Sequence, residues 1–520
     1  MRLTRRRLTP LLAVCTLLGA LLVAQSPAAT AANKPKSGGS VTFARQTEPR
    51  NFDAAKMQVG PIAGLVAQTI YDQLFYENSK GQPTPGLALS VDATSNNTVF
   101  TIKLRSGVTF TDGTPFNADA VIAHWTRMQD PATASPGIAD VSEIASMQAV
   151  DASTVKITLK APDATYILPL MVGNMTYIPS PTAVTKYGAT YGTTPETTVG
   201  AGPFKLQEVV FADHQTYVRN ANYWDKPKPY LDSMTFKIFL DAQTRYNTFI
   251  SGGADMIENL TGGATNVELD KSFDNISPLP FGGGYGMALN TSKAPTDDPD
   301  IRQALRYAIN MDAVLARAGQ GSTPAPTLYD KTSPWYTDLK LPNNDLKKAQ
   351  SLVDGYLKKT GQSSVTVDII HADTSVTFMQ ALQQEWAKIN GMKVNVTIET
   401  NVQTASRIAR RDYPNGLVSA AAGTPRGMKT NYASTGTTNL SFLNDPEMTA
   451  AITKANETSN PTQVKAAMKT AAERFNADTP YILFNRLNST VWLKPNLEGV
   501  KGMPDAPVVF KTQDLNKTGA

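Results

Sequence analysis

Residues 199–259 read VGAGPFKLQEVVFADHQTYVRNANYWDKPKPYLDSMTFKIFLDAQTRYNTFISGGADMIEN. Gly200, Gly202 and Pro203 interrupt any regular element, and short alternating runs follow, Phe204-Lys205-Leu206 and then Gln215 to Arg219. Period-2 alternation bounded by breakers predicts strand, turn and strand. Asn220 to Pro229 makes a proline-capped loop, and Met234 to Phe239 is a further strand. From Asp241 the pattern turns helical, with Tyr246, Phe249 and Ile250 at helical spacing, until Gly252-Gly253 stops it before a strand starting at Ala254. Strand, helix and strand form one βαβ unit, which builds a parallel sheet covered by helices.

The same alternation extends outward. Ser40 to Ala44 is a first strand, and Ile62 to Tyr76 a helix closing on Tyr71-Asp72-Gln73-Leu74-Phe75. Thr98 to Leu104 alternates cleanly, Gly107 to Gly113 looks like a hairpin, and Asn117 is an N-cap for a helix carrying Val121, Trp125 and Met128. Val155 to Leu159 is another strand. Gly286 to Thr291 is a strand leaving Gly282-Gly283-Gly284, and Asp300 to Asn310 an amphipathic helix with Ile301, Leu305 and Ala308 inward. Pro324 to Pro342 is loop. Helices over 345–356, 376–389 and 460–475 alternate with strands over 365–370, 393–398 and 481–484, again an α/β pattern.

A chain of 520 residues, 41% hydrophobic, is too long for one core. Basic Arg2 to Arg7, the apolar run Leu11 to Ala24 and the small residues Ala28-Ala29-Thr30-Ala31 have the plan of a cleaved secretory signal over residues 1–31. The apolar run is too short to span a bilayer comfortably. Four arginines of the formal +5 lie in this leader, so the remainder carries +1 and nucleic-acid binding loses its electrostatic footing. Thr4 to Leu8 hints at twin-arginine export. Cys15, the only cysteine, sits inside the apolar run; without it the mature chain has no disulfide or thiol chemistry.

Several words make the chain resemble the extracytoplasmic solute-binding proteins of ABC importers, in the large peptide/nickel-binding family 5. They are Gly200 to Phe204, Arg219 to Trp224 and Gly252 to Asp255, with the most distinctive at Lys103 to Val108 and Phe110 to Ala118. Asp300 to Asn310 is another. The resemblance implies an α/β, two-lobed periplasmic-binding-protein fold, type II-like, with an extra subdomain inserted in lobe I. In order of motifs, residues 40–68, 200–282 and 486–520 would form lobe I, 69–199 the insertion and 283–485 lobe II. The hinge would lie at Gly282, Gly283 and Gly284 and at Asn485 and Arg486, where glycines and strand ends absorb a closing motion. Cys15 also follows Leu12-Ala13-Val14, similar to the family's lipobox, although Val14 stands where a small residue is usual.

The function so implied is capture of a small organic solute between closing lobes and delivery to an ABC permease. The protein would be exported to the periplasm or the outer face of the cytoplasmic membrane, a monomer with no cofactor and no nucleic-acid partner. Short peptides are the default solute; an anionic or metal-chelate solute is the alternative. A secreted hydrolase is the competing class, but no His-Glu-x-x-His, Walker lysine loop or Gly-x-Ser-x-Gly elbow occurs, and His124, His214 and His371 are isolated. They cannot make a histidine-rich metal centre, and His371, following the strand Val365 to Ile370, reads either as a residue at a cleft edge or as a surface or capping residue.

Peptide-binding relatives anchor the ligand's amino terminus on an aspartate of lobe II, downstream of an Asp-Tyr pair matched here by Asp412-Tyr413. This chain instead has Ala420 to Gly423, Thr424, Pro425 and Arg426, so a positive group stands where an ammonium wants a negative one. Arg426 suits a carboxylate or phosphate, or is a solvated loop residue. Arg45 and Gln46 follow the first strand at its carboxyl end, where open α/β sheets present ligands. Tyr285 after the glycines and Tyr432 in a loop complete the candidates.

Overall fold

The computed structural model describes residues 35–59, 63–78, 81–94, 96–259, 264–276, 283–318, 324–372, 376–420, 423–486, 490–500 and 510–518. The leader, Cys15 and Gly282 lie outside the described residues.

Residues 199–259 build most of a seven-stranded sheet. Its order is Asp274–Ile276, Thr490–Leu493, Met256–Asn259, Ser40–Arg45, Ser233–Ile238, His214–Arg219 and Phe204–Val210. The βαβ unit is present, with helix Ala242–Ile250 capped by the Asp241 side chain, which accepts from Thr244 N. Its two strands are not neighbours, however. The first strand of the chain, Ser40–Arg45, lies between them and pairs in parallel with both. Val41, Phe43, Met234, Phe236 and Tyr217 face one core, where Phe43 and Phe236 meet edge to face at 5.7 Å.

Gly200 and Gly202 have a steric reason. The segment runs against the carboxyl end of helix Ala63–Tyr71, and Gly202 N donates to Ile70 O at 2.8 Å. A Cβ would sit 2.2 Å from Ile70 O at position 200 and 2.5 Å from Ile70 C at position 202. The helix predicted to reach Tyr76 stops at Tyr71, because Asp72 turns left-handed (φ 64°) and Phe75–Glu77 is a strand. The Asp72 carboxylate is buried there, accepting from Tyr76 Oη and from Tyr223 Oη and Trp224 Nε1, both at 2.8 Å.

A second, antiparallel sheet orders Ala88–Thr94, Val99–Leu104, Thr154–Leu159 and Ile144–Asp151. Helix Ala118–Gln129 packs on it with Val121, Trp125 and Met128 buried, and Asn117 caps it by accepting from Ala120 N at 3.0 Å. The third sheet has five strands: Met392–Glu399, Val365–Ala372, Asn415–Ala420, Gly284–Leu289 and Tyr481–Asn485. Both faces are covered. Met287, Leu289, Ile482 and Phe484 join one core with helices Pro299–Tyr307 and Val376–Trp386, while Ala288, Tyr481 and Leu483 join another with Pro446–Glu457 and Pro461–Asp478. Residues 425–432, expected as loop, are helix Pro425–Tyr432, whose Met428 and Tyr432 belong to that second core. Thr424 caps it and Pro425 starts it, a helix-opening pair.

Candidate functional site between two sheets

Register decides where strand ends meet. In the seven-stranded sheet, Ser40–Arg45, Ser233–Ile238 and Met256–Asn259 are parallel, and Asn259 is opposite Thr490, so their carboxyl ends gather at one edge with the start of Thr490–Leu493. In the five-stranded sheet, Gly284 is opposite Ala420 and Tyr285 opposite Asn485, so those carboxyl ends gather beside the start of Gly284–Leu289. The chain passes from one edge to the other after Ile276 and returns after Arg486. Only four peptide units separate Arg486 from Thr490, a span of at most about 14 Å. The carboxyl ends of both sheets are therefore brought near each other at this crossing, and carboxyl ends are where open α/β folds hold ligands.

On the first edge, Arg45 is 1% exposed, its Nη2 lying 3.1 Å from Glu258 Oε2 and its guanidinium over the rings of Phe43 and Phe236. Gln46 N donates to the other Glu258 oxygen at 3.2 Å. Arg45 is thus held by a counter-ion, and it braces the strand end. Sequence reasoning missed Arg245, which braces the neighbouring strand: its Nε donates to Glu258 O at 2.9 Å and its Nη2 to Asn259 Oδ1 at 2.6 Å. The visible signal was Glu258-Asn259 ending a buried strand, because such groups require partners.

On the second edge Tyr285 is half-buried, its ring 6.5 Å from that of Phe484. Gly284 has φ 145°, and a Cβ there would lie 2.2 Å from Asn485 O. Arg486 donates to the carbonyls of Gly283, Leu328 and Thr327. His371 is buried in strand Val365–Ala372, a correction to the surface or capping reading, since alternation turns it inward.

Two candidates are occupied elsewhere. Arg426 is 5% exposed and neither solvated nor open to a ligand's oxyanion. It meets Asp140 at 2.7 Å, Asp163 at 2.8 Å and Glu143 at 3.2 Å, three carboxylates from the segment around the antiparallel sheet. Lys429, one turn on, reaches Glu143 at 2.9 Å. Ala164 N to Asn456 O (2.6 Å) and Thr165 Oγ1 to Asn456 Oδ1 (2.9 Å) join the same two regions. Tyr432 points into a core, its ring 5.2 Å from Phe475 and 5.1 Å from Tyr481, because helical geometry turns it away from the loops. Among the described residues no three His, Cys, Asp or Glu side chains are grouped to hold a metal.

A family model described as "Bacterial extracellular solute-binding proteins, family 5 Middle" matches residues 82–442. The chain is 29% identical over 471 residues to the glutathione-binding protein GsiB of Shigella flexneri and to that of Escherichia coli K12, covering 87% of this chain and 90% of each relative. Among solved structures it is similar to the binding protein AgaA of A. tumefaciens R10 in complex with agropinic acid, with TM-score 0.80, 24% identity, and 93% and 99% of the two chains covered. DppA of Helicobacter pylori in complex with the peptide STSA gives TM-score 0.78 at 23% identity, covering 93% and 98%. AppA of Bacillus subtilis in complex with a nonapeptide gives 0.79 at 18%, covering 94% and 100%.

Proposed function

We propose a function from one premise: the chain belongs to the bacterial extracellular solute-binding proteins of family 5. It is a two-lobed α/β binding protein of an ABC importer, taking up peptides or related solutes. Our finer reading is that residues 40–68, 200–282 and 486–520 form lobe I, 69–199 its insertion and 283–485 lobe II. Residues 1–31 are the export signal, and the mature protein acts as a monomer outside the cytoplasmic membrane, without chemistry of its own. Closure turns about Gly282 to Gly284 and Asn485-Arg486.

The solute we propose is a short peptide of glutathione size, held between the strand ends that carry Gln46 and Tyr285. What supports this reading is the gathering of strand carboxyl ends at the edges of two sheets joined by a crossing of four peptide units, in a relative of glutathione-binding proteins. With Arg426 engaged by three carboxylates, the main argument for an anionic solute anchored there falls away. Only a ligand that touches both lobes differently in open and closed states can shift their equilibrium. A thermal-shift and calorimetric screen of residues 32–520 against glutathione, di- to pentapeptides, organic acids and chelated metals tests it. A rise in melting temperature with glutathione or short peptides supports the reading. A response confined to organic acids or chelates overturns the solute, and silence throughout overturns the transport role.

A further inference from the structure

A second pocket, of about 610 Å³, is lined by residues between 306 and 343 and by Arg486, with none from the seven-stranded sheet. None of the ligand candidates Arg45, Gln46, Tyr285, Arg426 and Tyr432 lines it. Met311, Pro324 and Leu341 give it apolar wall, and Arg306 lines it as well. Arg306 is 3% exposed, yet its Nε and Nη1 have no hydrogen-bond partner, and no carboxylate among the described residues pairs with it. Burial without a counter-charge pushes its pKa down to about 10.

The contrast with Arg302, one turn earlier on helix Pro299–Tyr307, is informative. The Arg302 guanidinium is also buried, but it donates to the carbonyls of Asp478, Thr296 and Asp297. The fold thus satisfies one arginine of this helix and leaves the next without an acceptor. Asp330 in the pocket wall turns instead to Thr332, accepting from its N and Oγ1. Arg486 keeps its Nε unpartnered while its Nη atoms hold backbone carbonyls. A desolvated guanidinium with neither acceptor nor counter-ion is strongly unfavourable, and a ligand's oxyanion would remove the penalty.

We propose that this pocket binds a small organic anion, its carboxylate or phosphate gripped by Arg306 and its apolar body against Met311, Pro324 and Leu341. The planar guanidinium grips such a group with two parallel hydrogen bonds. The volume lies within the range of small-molecule sites, about 300–1,000 Å³, and far exceeds what a bare inorganic ion fills. Because Arg486 also holds the Gly283 carbonyl, the ligand sits next to the segment that links the two sheets.

The test is calorimetric titration and thermal shift of the whole mature chain with benzoate, citrate, acetate and inorganic phosphate, for the wild type, Arg306→Met and Arg306→Lys. We expect saturable binding of benzoate or citrate by the wild type, roughly tenfold to hundredfold weaker in Arg306→Met, with partial recovery in Arg306→Lys. In anion-free buffer Arg306→Met should melt no lower than the wild type, since it removes an unpaired buried charge. Leu341→Phe, which narrows the apolar wall and leaves Arg306 in place, should weaken benzoate more than acetate. No binding by the wild type, or equal binding by the wild type and Arg306→Met, overturns the site. Binding of phosphate alone overturns the organic part of the proposal.

Discussion

Arg426 Nη1 lies 2.8 Å from Asp163 Oδ2, although 263 residues separate them in the chain. Asp163 is 2% exposed on its side chain, so this is a buried pair joining helix Pro425–Tyr432 to the segment beyond the antiparallel sheet. Removing one member of a buried pair costs about 3–5 kcal/mol, because the remaining charge is stranded. A protein that opens and closes has a cheaper response, which is to part the two regions and let water reach the carboxylate.

Arg426→Met is therefore expected to expand the ligand-free protein. Its radius of gyration by small-angle scattering should exceed that of the wild type, and solute affinity should fall about tenfold, since the closed state loses contacts worth about 1.4 kcal/mol or more. An unchanged radius with unchanged affinity would mean that the Arg426 cluster does not hold the regions together.

Arg45 and Glu258 are both buried at the carboxyl ends of paired strands. Arg45→Met strands the Glu258 carboxylate and should cost about 3–5 kcal/mol in urea unfolding. The double variant Arg45→Met with Glu258→Met should recover a large part of that loss. Recovery by less than a tenth would show that Arg45 stabilises through packing on Phe43 and Phe236 rather than through charge.

His124 should make the protein acid-sensitive. Its Nε2 donates to Asn174 O at 3.0 Å, its Nδ1 has no partner, and burial lowers its pKa to about 4. A folded pKa below the unfolded value of about 6.5 means that the native state favours the neutral ring. Its contribution is complete above about pH 6.5 and is lost as pH falls from there to about 4, amounting to roughly 3 kcal/mol. The stability–pH slope of His124→Gln over that interval should be shallower than that of the wild type.

Glycine positions give opposite signs. Gly284→Ala places a Cβ 2.2 Å from Asn485 O at a left-handed φ of 145°, and should cost roughly 2 kcal/mol or more and impair solute binding. Gly355 lies in helix Leu346–Thr360 with nothing within 4 Å of its Cβ position, so Gly355→Ala should stabilise by about 0.5–1 kcal/mol. Thermal unfolding of the two variants checks both.

What sequence by itself determined was local. Alternation and breakers revealed strands in each of the three larger sheets, though not Ala88–Thr94, Ile144–Asp151, Asp274–Ile276, Asn415–Ala420 or Thr490–Leu493, and Asn117 marked a helix start. The ordered words placed the chain in its family, and packing brings two of them into contact. Tyr223 and Trp224 of one word donate to Asp72, and Arg105 of another word stacks over Trp224 at 3.9 Å.

Tertiary structure alone decided the partners. That Ser40–Arg45 enters between the strands of a later βαβ unit, that Arg45 finds Glu258, that Arg426 is claimed by three carboxylates and that Arg306 is left with none are all outcomes of long-range docking. Periodicity reports which face of an element avoids water. It says nothing about which distant charge will share the low-dielectric space behind that face, where a side chain's role is set.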